Sequence, residues 1–204
     1  MIFSVIGTMI SLVVFLFGLH SFSYTQLLVL FLAVVGFSYN AVRIYTKRFP
    51  EKKEHYLNMY YRGILAFYFF FLFSLTFNIE RATAEITFDG ASLMRRLTKE
   101  SNLIPFRTIH NMFRNNDFNS FFFINIVGNV AALMPLGILF PLVFSKARKI
   151  LPYTFMVIGV VLFIEFFQFF FGVGRLDVDD LILNVSGALV AYGGYRIFVF
   201  FVKR

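Results

Sequence analysis

Long apolar runs separated by short polar segments dominate this chain. Six runs are long enough, or nearly so, to cross ~30 Å of hydrocarbon as helices of about 20 residues. They lie at residues 2–19, 26–45, 60–77, 121–144, 151–171 and 181–201. This pattern predicts an all-α fold, a polytopic membrane bundle of about six transmembrane helices, in which the first two helices form a hairpin.

A long connection, residues 78–120, separates the third and fourth predicted helices and mixes basic with acidic side chains. Residues 86–90 are typical of a short extended piece that ends in a turn. Phe106, Ile109 and Phe113 recur at helical spacing, with basic residues beside them. This spacing predicts a short amphipathic helix in the outer membrane interface. A solvated loop without a site remains the alternative.

Lysine and arginine are distributed unequally between the two predicted sides of the membrane. They cluster after the second helix, after the fourth helix and at the C-terminus. Because cytoplasmic loops carry an excess of these residues, this side is predicted to be cytoplasmic, together with both termini. The residues concerned are Arg43, Lys47, Arg48, Lys52, Lys53, Arg62, Lys146, Arg148, Lys149, Lys203 and Arg204.

The composition excludes several classes of protein. Of the 204 residues, 59% are hydrophobic and only 15% are charged, against about 25% charged in soluble domains. No cysteine is present, so disulfides, thiolate chemistry and cysteine-based zinc sites are excluded. The net charge of +8 lies in loops, where topology and anionic lipid explain it better than a nucleic-acid partner.

Three predicted helices carry polar residues at one depth. From ~1.5 Å rise per residue, Asn129, Glu165 and Asn184 lie about 12, 10 and 5 Å inside the outer ends of their helices. The inner halves of the same helices are almost wholly apolar, so the site is predicted to open outward. Interhelical hydrogen bonding without function remains an alternative for the amides. The polar residues are Asn125, Asn129, Glu165, Gln168, Asp180 and Asn184.

Glu165 is the strongest functional candidate among these residues. A carboxylate inside a membrane helix is costly and must be paired with a cation or protonated. Arg175 and Arg107 are the candidate partners. Arg175 is favoured because the turn after the fifth helix can bring it back toward Glu165.

The acidic run Asp177-Val178-Asp179-Asp180 opens the sixth predicted helix and permits three interpretations. The acids could cap the helix N-terminus, hold a divalent metal with a phosphate, or pair with Arg175 and Arg107. We expect Asp179 to cap the sixth helix and Asp180 to line a pocket with Asn184. No metal site and no cofactor are assigned.

Small residues and a proline indicate how the helices pack. Gly128 and Ala132 on the fourth helix, and Gly187, Ala191 and Gly194 on the sixth, are typical of close membrane-helix contacts. Pro135 removes a backbone donor within the fourth helix.

Several short motifs together resemble the VanZ-like family of bacterial membrane proteins. They are Asn102-Leu103-Ile104-Pro105-Phe106, Asn125 and Asn129 followed by Pro135-Leu136-Gly137, Glu165 with Gln168, and Gly174-Arg175 through Asp177, Asp179, Asp180 and Asn184 to Gly187. The resemblance covers residues 102–195 and is expected to begin near Tyr60. It implies a VanZ-like four-helix domain at 59–204, after an N-terminal hairpin and basic cytoplasmic loop at 1–58.

The resemblance also implies a bacterial cell-membrane location and a link to teicoplanin-type glycopeptide resistance. Two functions stay open. The first is a non-catalytic binder of a membrane lipid headgroup, a lipid-linked cell-wall precursor or the lipophilic glycopeptide. The second is an intramembrane hydrolase or transferase with Glu165 as general base and Asp180 as the other catalytic candidate. No oligomeric state is assigned. The predicted binding residues are Asn102, Arg107, Asn125, Asn129, Glu165, Gln168, Arg175, Asp177, Asp179, Asp180 and Asn184.

Overall fold

A computed structural model describes residues 1–18, 23–76, 90–114, 120–172 and 174–202 of the chain. These residues form helices joined by short turns, without a strand among them, which confirms the all-α prediction. The helices are α1 (Ile2–Gly18), α2 (Tyr24–Arg48), α3 (Lys53–Thr76), α4 (Gly90–Arg95), α5 (Arg107–Arg114), α6 (Ser120–Ala132), α7 (Met134–Val143), α8 (Ile150–Phe170) and α9 (Val178–Val202).

The membrane-spanning character of the chain is confirmed in the described residues. Five helical stretches are long and apolar enough to span a membrane: Thr25–Arg48, Pro50–Thr76, Asn125–Val143, Ile150–Phe170 and Val178–Val202. The predicted first span corresponds to the shorter α1. The chain is therefore a multi-pass helical protein of the membrane type.

The predicted fourth helix is interrupted. It consists of α6 and α7, which are separated at Leu133, where the backbone leaves helical geometry (φ −105°, ψ 2°). Pro135 lies in the first turn of α7. It cannot donate a backbone hydrogen bond, and its ring interferes with the turn before it, so a new helix begins there.

The chain divides into two compact units, Met1–Leu75 and Thr76–Arg204. In the first unit α1 packs along α2, as the predicted hairpin requires. The Asn40 side chain donates to Ser4 Oγ across this pair (2.9 Å), and the Tyr60 hydroxyl of α3 donates to the Val35 carbonyl (3.1 Å). Stacked phenylalanine rings complete the core. The predicted boundary at residue 58 stays a prediction.

In the second unit α9 is the central helix and packs against α5, α6, α7 and α8. Two glycines allow this approach. A Cβ at Gly187 would lie 1.8 Å from the Val130 carbonyl oxygen of α6, and one at Gly137 of α7 would lie 2.7 Å from the Ala191 Cβ. These contacts agree with the predicted small-residue packing.

Two of the glycines predicted to lie at helix contacts do not lie there. Outside its own stretch of helix backbone, neither Gly128 nor Gly194 has an atom of the described residues within 4 Å of its Cβ position, so the prediction for these two is wrong. Small residues mark a contact only when they face the neighbouring helix, and residue spacing alone did not identify that face.

The far end of α9 is anchored by tyrosines. The Tyr153 hydroxyl of α8 donates to the Ala188 carbonyl (2.8 Å), and its ring stacks on Tyr192 with centroids 4.3 Å apart. Tyr192 and Arg196 both donate to the Arg148 carbonyl, at 2.9 and 2.7 Å. The basic turn Ser145–Arg148 thus lies at the opposite end of α9 from the acidic run.

Candidate functional site

The acidic run at the start of α9 meets the segment that precedes α5. The Asn102 main chain forms a short parallel bridge with Asp177. Its N–H donates to the Leu176 carbonyl (2.8 Å), and its carbonyl accepts from Val178 N–H (2.9 Å). Residues 75 positions apart in sequence are thereby held side by side.

Asp177 is the N-cap of α9. Its Oδ1 accepts the Asp179 N–H at 2.9 Å, the usual cap bond to the second helical residue. The same oxygen accepts from the Asn102 amide (3.0 Å), and Oδ2 accepts from the Thr108 hydroxyl (2.7 Å). Both oxygens of this carboxylate are therefore occupied by donors from the protein.

Asp179 caps a different helix from the one predicted. Its side chain is 1% exposed and accepts main-chain N–H bonds from Phe106 (2.5 Å), Thr108 (2.7 Å) and Ile109 (3.1 Å). These are donors at the N-terminus of α5, which lack partners within that helix. The capping prediction was correct in kind, but the helix is α5 and not α9, because Asp177 already occupies the cap position of α9.

The capping of α5 includes strained backbone at Phe106. This residue has φ +64°, a left-handed conformation that is uncommon for a bulky side chain. The conformation turns its N–H toward Asp179 in line with those of Thr108 and Ile109. The local strain is offset by one buried carboxylate that satisfies three donors.

Asp180 faces the other way, toward α6. Its carboxylate accepts a hydrogen bond from the Asn129 amide. Asn184 is buried, but its amide donates to the Asp180 main-chain carbonyl (2.8 Å) and not to the carboxylate. The partner of the Asp180 carboxylate is thus Asn129 of α6, and not Asn184 as predicted.

Glu165 enters the same region from α8. It is 8% exposed, and its Oε2 is a buried oxygen without a hydrogen-bond partner in the part of the chain described. Among the described residues, the charged groups that interact with it electrostatically are the carboxylates of Asp180 and Asp177, and the Asp177 main-chain N–H approaches it as a donor. In this part of the chain its charged neighbours are therefore acids.

The expected partner Arg175 does not pair with Glu165. Its side chain is exposed, and the described residues contain no ion pair between the two. Arg107 is also exposed, at the first position of α5. In place of the expected ion pairs, Asp177 and Asp179 accept hydrogen bonds from N–H and O–H groups of α5 and of the Asn102 segment.

The remaining predicted residues lie around this centre. Asn125 lies one turn before Asn129 on α6 and is partly buried. The Gln168 carbonyl accepts from Gly174 N–H (3.1 Å), and the Gln168 side chain packs against that glycine, 2.9 Å from the Cβ position. Gln168 thus shapes the turn between α8 and α9.

Sequence reasoning missed two residues of this site. Thr108 donates its hydroxyl to Asp177 and its N–H to Asp179, so it joins the two acids. Arg96 donates to the Phe169 carbonyl of α8 (3.3 Å) and lies against Gly172, whose φ is +69°. A polar residue in the first turn of the predicted amphipathic helix was the available signal for Thr108; for Arg96 we identify none.

The site therefore contains two kinds of carboxylate. Asp177 and Asp179 hold the start of α9, the start of α5 and the Asn102 segment together. Glu165 and Asp180 interact electrostatically, and Glu165 keeps one oxygen without a donor among the described residues. The described residues contain no group of three or more His, Cys, Asp or Glu side chains arranged to hold a metal ion.

A family model described as VanZ/LLP1 matches residues 60–199. The matched region begins where the sequence resemblance was expected to begin and contains all residues of the site. No curated protein and no solved structure matches the chain. Because the match covers more than half of its length, the chain belongs to the VanZ/LLP1 family.

Proposed function

We propose that this protein is a non-catalytic binder in the bacterial cell membrane, which takes the polar headgroup of a lipid or lipid-linked cell-wall precursor at an outward-facing site. Glu165 and Asp180 form the centre of that site. Asn129 supports the pair, and the segment from Asn102 to α5 forms its cover.

One observation carries this proposal: Glu165 is buried, faces another acid, and has an oxygen without a donor among the described residues. An uncompensated polar group in a membrane interior costs several kcal/mol. Such a group is kept for function more readily than for stability. Asp177 and Asp179 lack this property, because their carboxylate oxygens accept hydrogen bonds from other parts of the protein.

The surroundings of the site suit a lipid ligand. On and beside the segment that binds Asp177 and Asp179, four apolar side chains are more than half exposed: Leu103, Ile104, Phe106 and Phe113. Exposed apolar side chains next to a polar centre are typical of surfaces that contact lipid or another apolar partner. A headgroup could bind the acids while its acyl chains remain among these side chains.

Mass spectrometry of co-purified lipid tests the proposal. Wild type, Glu165→Gln and the matched control Glu51→Gln are purified in the same detergent, and the retained lipids are identified. Glu51 is exposed and lies outside the site. We expect wild type and the control to retain one lipid class, and Glu165→Gln to retain at least tenfold less of it. Equal retention by all three would refute the proposal.

Sidedness requires a separate test, since the outward direction rests on the lysine and arginine distribution. The chain has no cysteine, so single-cysteine labelling has no background. Thr98→Cys, near the site, should react with an impermeant maleimide in intact cells, whereas Ser145→Cys should react only after lysis. The reverse result would place the site at the cytoplasmic face.

The link to teicoplanin-type resistance is also a proposal, and susceptibility measurements test it. Expression in a susceptible host should raise the inhibitory concentration of teicoplanin, and Glu165→Gln should remove that protection at equal protein level. Protection that survives in Glu165→Gln would separate resistance from this site.

The facing acids also favour a second candidate, an intramembrane hydrolase or transferase. Two adjacent carboxyl groups can divide the general-acid and general-base roles between them. In this case Glu165→Gln should keep the lipid but abolish its conversion. Incubation of purified protein with the co-purified lipid, followed by product analysis, separates the two candidates.

A further inference from the structure

The facing acids at the centre of the site have no cationic partner in the described part of the protein. The charged neighbours of Glu165 are Asp180 and Asp177, and those of Asp180 are Asp177 and Asp179. All of these groups are acidic. Like charges held together away from water repel each other strongly, so the site favours a ligand group of positive charge.

The Glu165 oxygen without a hydrogen-bond partner further restricts the chemical class of the ligand. Glu165 Oε2 is a buried acceptor that requires a donor, so the ligand group must carry N–H or O–H as well as positive charge. A primary ammonium meets both requirements, whereas a quaternary ammonium carries charge without a donor. A phosphate adds negative charge to the acids and is disfavoured at this position.

A divalent metal suits the site less well. Calcium and magnesium are held by several oxygen ligands at once, and the described residues contain no group of three or more potential ligand side chains. Asp177 and Asp179 lie only two positions apart in sequence, but their oxygens accept hydrogen bonds from α5, α9 and Asn102.

Arg96 offers an anion position near the C-terminal end of α8, the helix that carries Glu165. Arg96 contacts the Phe169 carbonyl at the end of α8, four residues beyond Glu165. At ~1.5 Å rise per residue, this separates the two along the helix axis by about 6 Å. A guanidinium recognises phosphate well. A zwitterionic headgroup with an ammonium and a nearby phosphate therefore matches the order of charges.

From these observations we infer that the headgroup recognised at Glu165 and Asp180 is a primary ammonium, with its phosphate directed toward Arg96. The inference rests on the proposed function, because it names the chemical class of the ligand at that same site. The ammonium donates to Oε2 of Glu165 and neutralises the acid pair. Phosphoethanolamine carries this chemistry, either on a phospholipid or as a free headgroup.

Lipid titration of the full chain in detergent, followed by native mass spectrometry, tests this inference. Phosphatidylethanolamine is compared with N-acetyl-phosphatidylethanolamine, which lacks the charge, and with phosphatidylcholine, which lacks the N–H donor. We expect wild type to bind phosphatidylethanolamine at least tenfold more tightly than either of the other two lipids. This comparison needs no variant and does not depend on how a mutant folds.

Variants then assign the preference to the acid pair. In Glu165→Gln the ratio between phosphatidylethanolamine and its N-acetyl form should fall to about one, and Asp180→Asn should lower it as well. The control Glu51→Gln should keep the wild-type ratio. Competition by soluble O-phosphoethanolamine would show that the free headgroup is sufficient, whereas no competition would assign the ligand to the lipid. Either result retains the ammonium and decides only its source.

The outcomes separate this inference from the proposed function. If both ethanolamine lipids bind equally to wild type and both are lost in Glu165→Gln, the site binds lipid but does not select an ammonium. In that case the inference is wrong and the proposed function stands. If lipid binding in Glu165→Gln equals that of wild type, both are wrong.

Discussion

The carboxylates of Asp179 and Glu165 lie in one region of the protein, yet their surroundings are opposite. Asp179 is 1% exposed and accepts three main-chain N–H bonds. Glu165 is 8% exposed and has an oxygen without a donor among the described residues. Both are costly to bury, but within the described residues only Asp179 has hydrogen-bond donors at both of its carboxylate oxygens.

This difference assigns the two acids different roles. A buried acid with all of its hydrogen bonds made within the protein stabilises the arrangement of the chain, and here it joins α5 to α9. A buried acid that faces another acid destabilises the folded chain until a ligand or a proton compensates it. Mutations should therefore separate stability from binding at these two positions.

The largest effect is expected from Asp179→Ala. It leaves the N–H groups of Phe106, Thr108 and Ile109 without their acceptor, at about 1–3 kcal/mol for each donor that stays buried. We expect the free energy of unfolding to fall by at least ~3 kcal/mol, measured by denaturation in detergent. Asp179→Asn, which keeps one acceptor oxygen, should lose less. Wild-type stability in Asp179→Ala would contradict the role assigned to this acid.

Gly187→Ala tests the helix approach that brings Asn129 to Asp180. The new Cβ would lie 1.8 Å from the Val130 carbonyl oxygen, so α6 must move away, at a cost of about 1–3 kcal/mol. The matched control is Gly193→Ala on the same helix, where no described atom outside the local helix backbone lies within 4 Å of the Cβ position. The control should be neutral or more stable by ~0.5–1 kcal/mol. Equal unfolding temperatures for the two variants would argue against the close α6–α9 contact.

Glu165→Gln should weaken lipid binding without lowering stability, whereas Asp179→Ala should lower stability. Removal of a charge that faces Asp180 relieves repulsion, so the unfolding temperature without added lipid should equal or exceed that of wild type. The stabilisation by added lipid, measured as a shift in the same unfolding temperature, should be lost. A marked loss of stability without lipid would indicate a structural role for Glu165 and would remove the contrast between the two acids.

The smallest effect is expected from Thr108→Val. It removes both hydrogen bonds of the hydroxyl, the one donated to Asp177 (2.7 Å) and the one accepted from the Asn102 amide (2.9 Å), while it preserves side-chain shape. Because the Asn102 amide still donates to Asp177, only about 1–2 kcal/mol of stability should be lost. Lipid selectivity should not change, because Thr108 contacts the structural acids and not Glu165. The matched control is Thr98→Val, whose exposed hydroxyl donates to the Met94 carbonyl four residues earlier, and it should be neutral in unfolding measurements.

Much of the fold could be predicted from the sequence, because helix formation depends on local pattern. The apolar runs indicated α2, α3, α8 and α9 to within a few residues at most boundaries, and the start of α3 was the largest error. The spacing of Phe106, Ile109 and Phe113 predicted α5. The break at Leu133 was not predicted, although Pro135, its cause, was identified. The expected extended piece at 86–90 lies largely outside the described residues.

The sequence by itself determined that an acid lies within a membrane helix and that further acids open the next helix. The tertiary structure decided which acid each donor reaches. The N–H groups that occupy Asp179 come from residues at least 70 positions earlier in the chain, and the charge that faces Glu165 comes from another helix. Hydrophobic periodicity reports burial along one element, whereas hydrogen bonding of a buried acid depends on groups that only folding brings within about 3 Å.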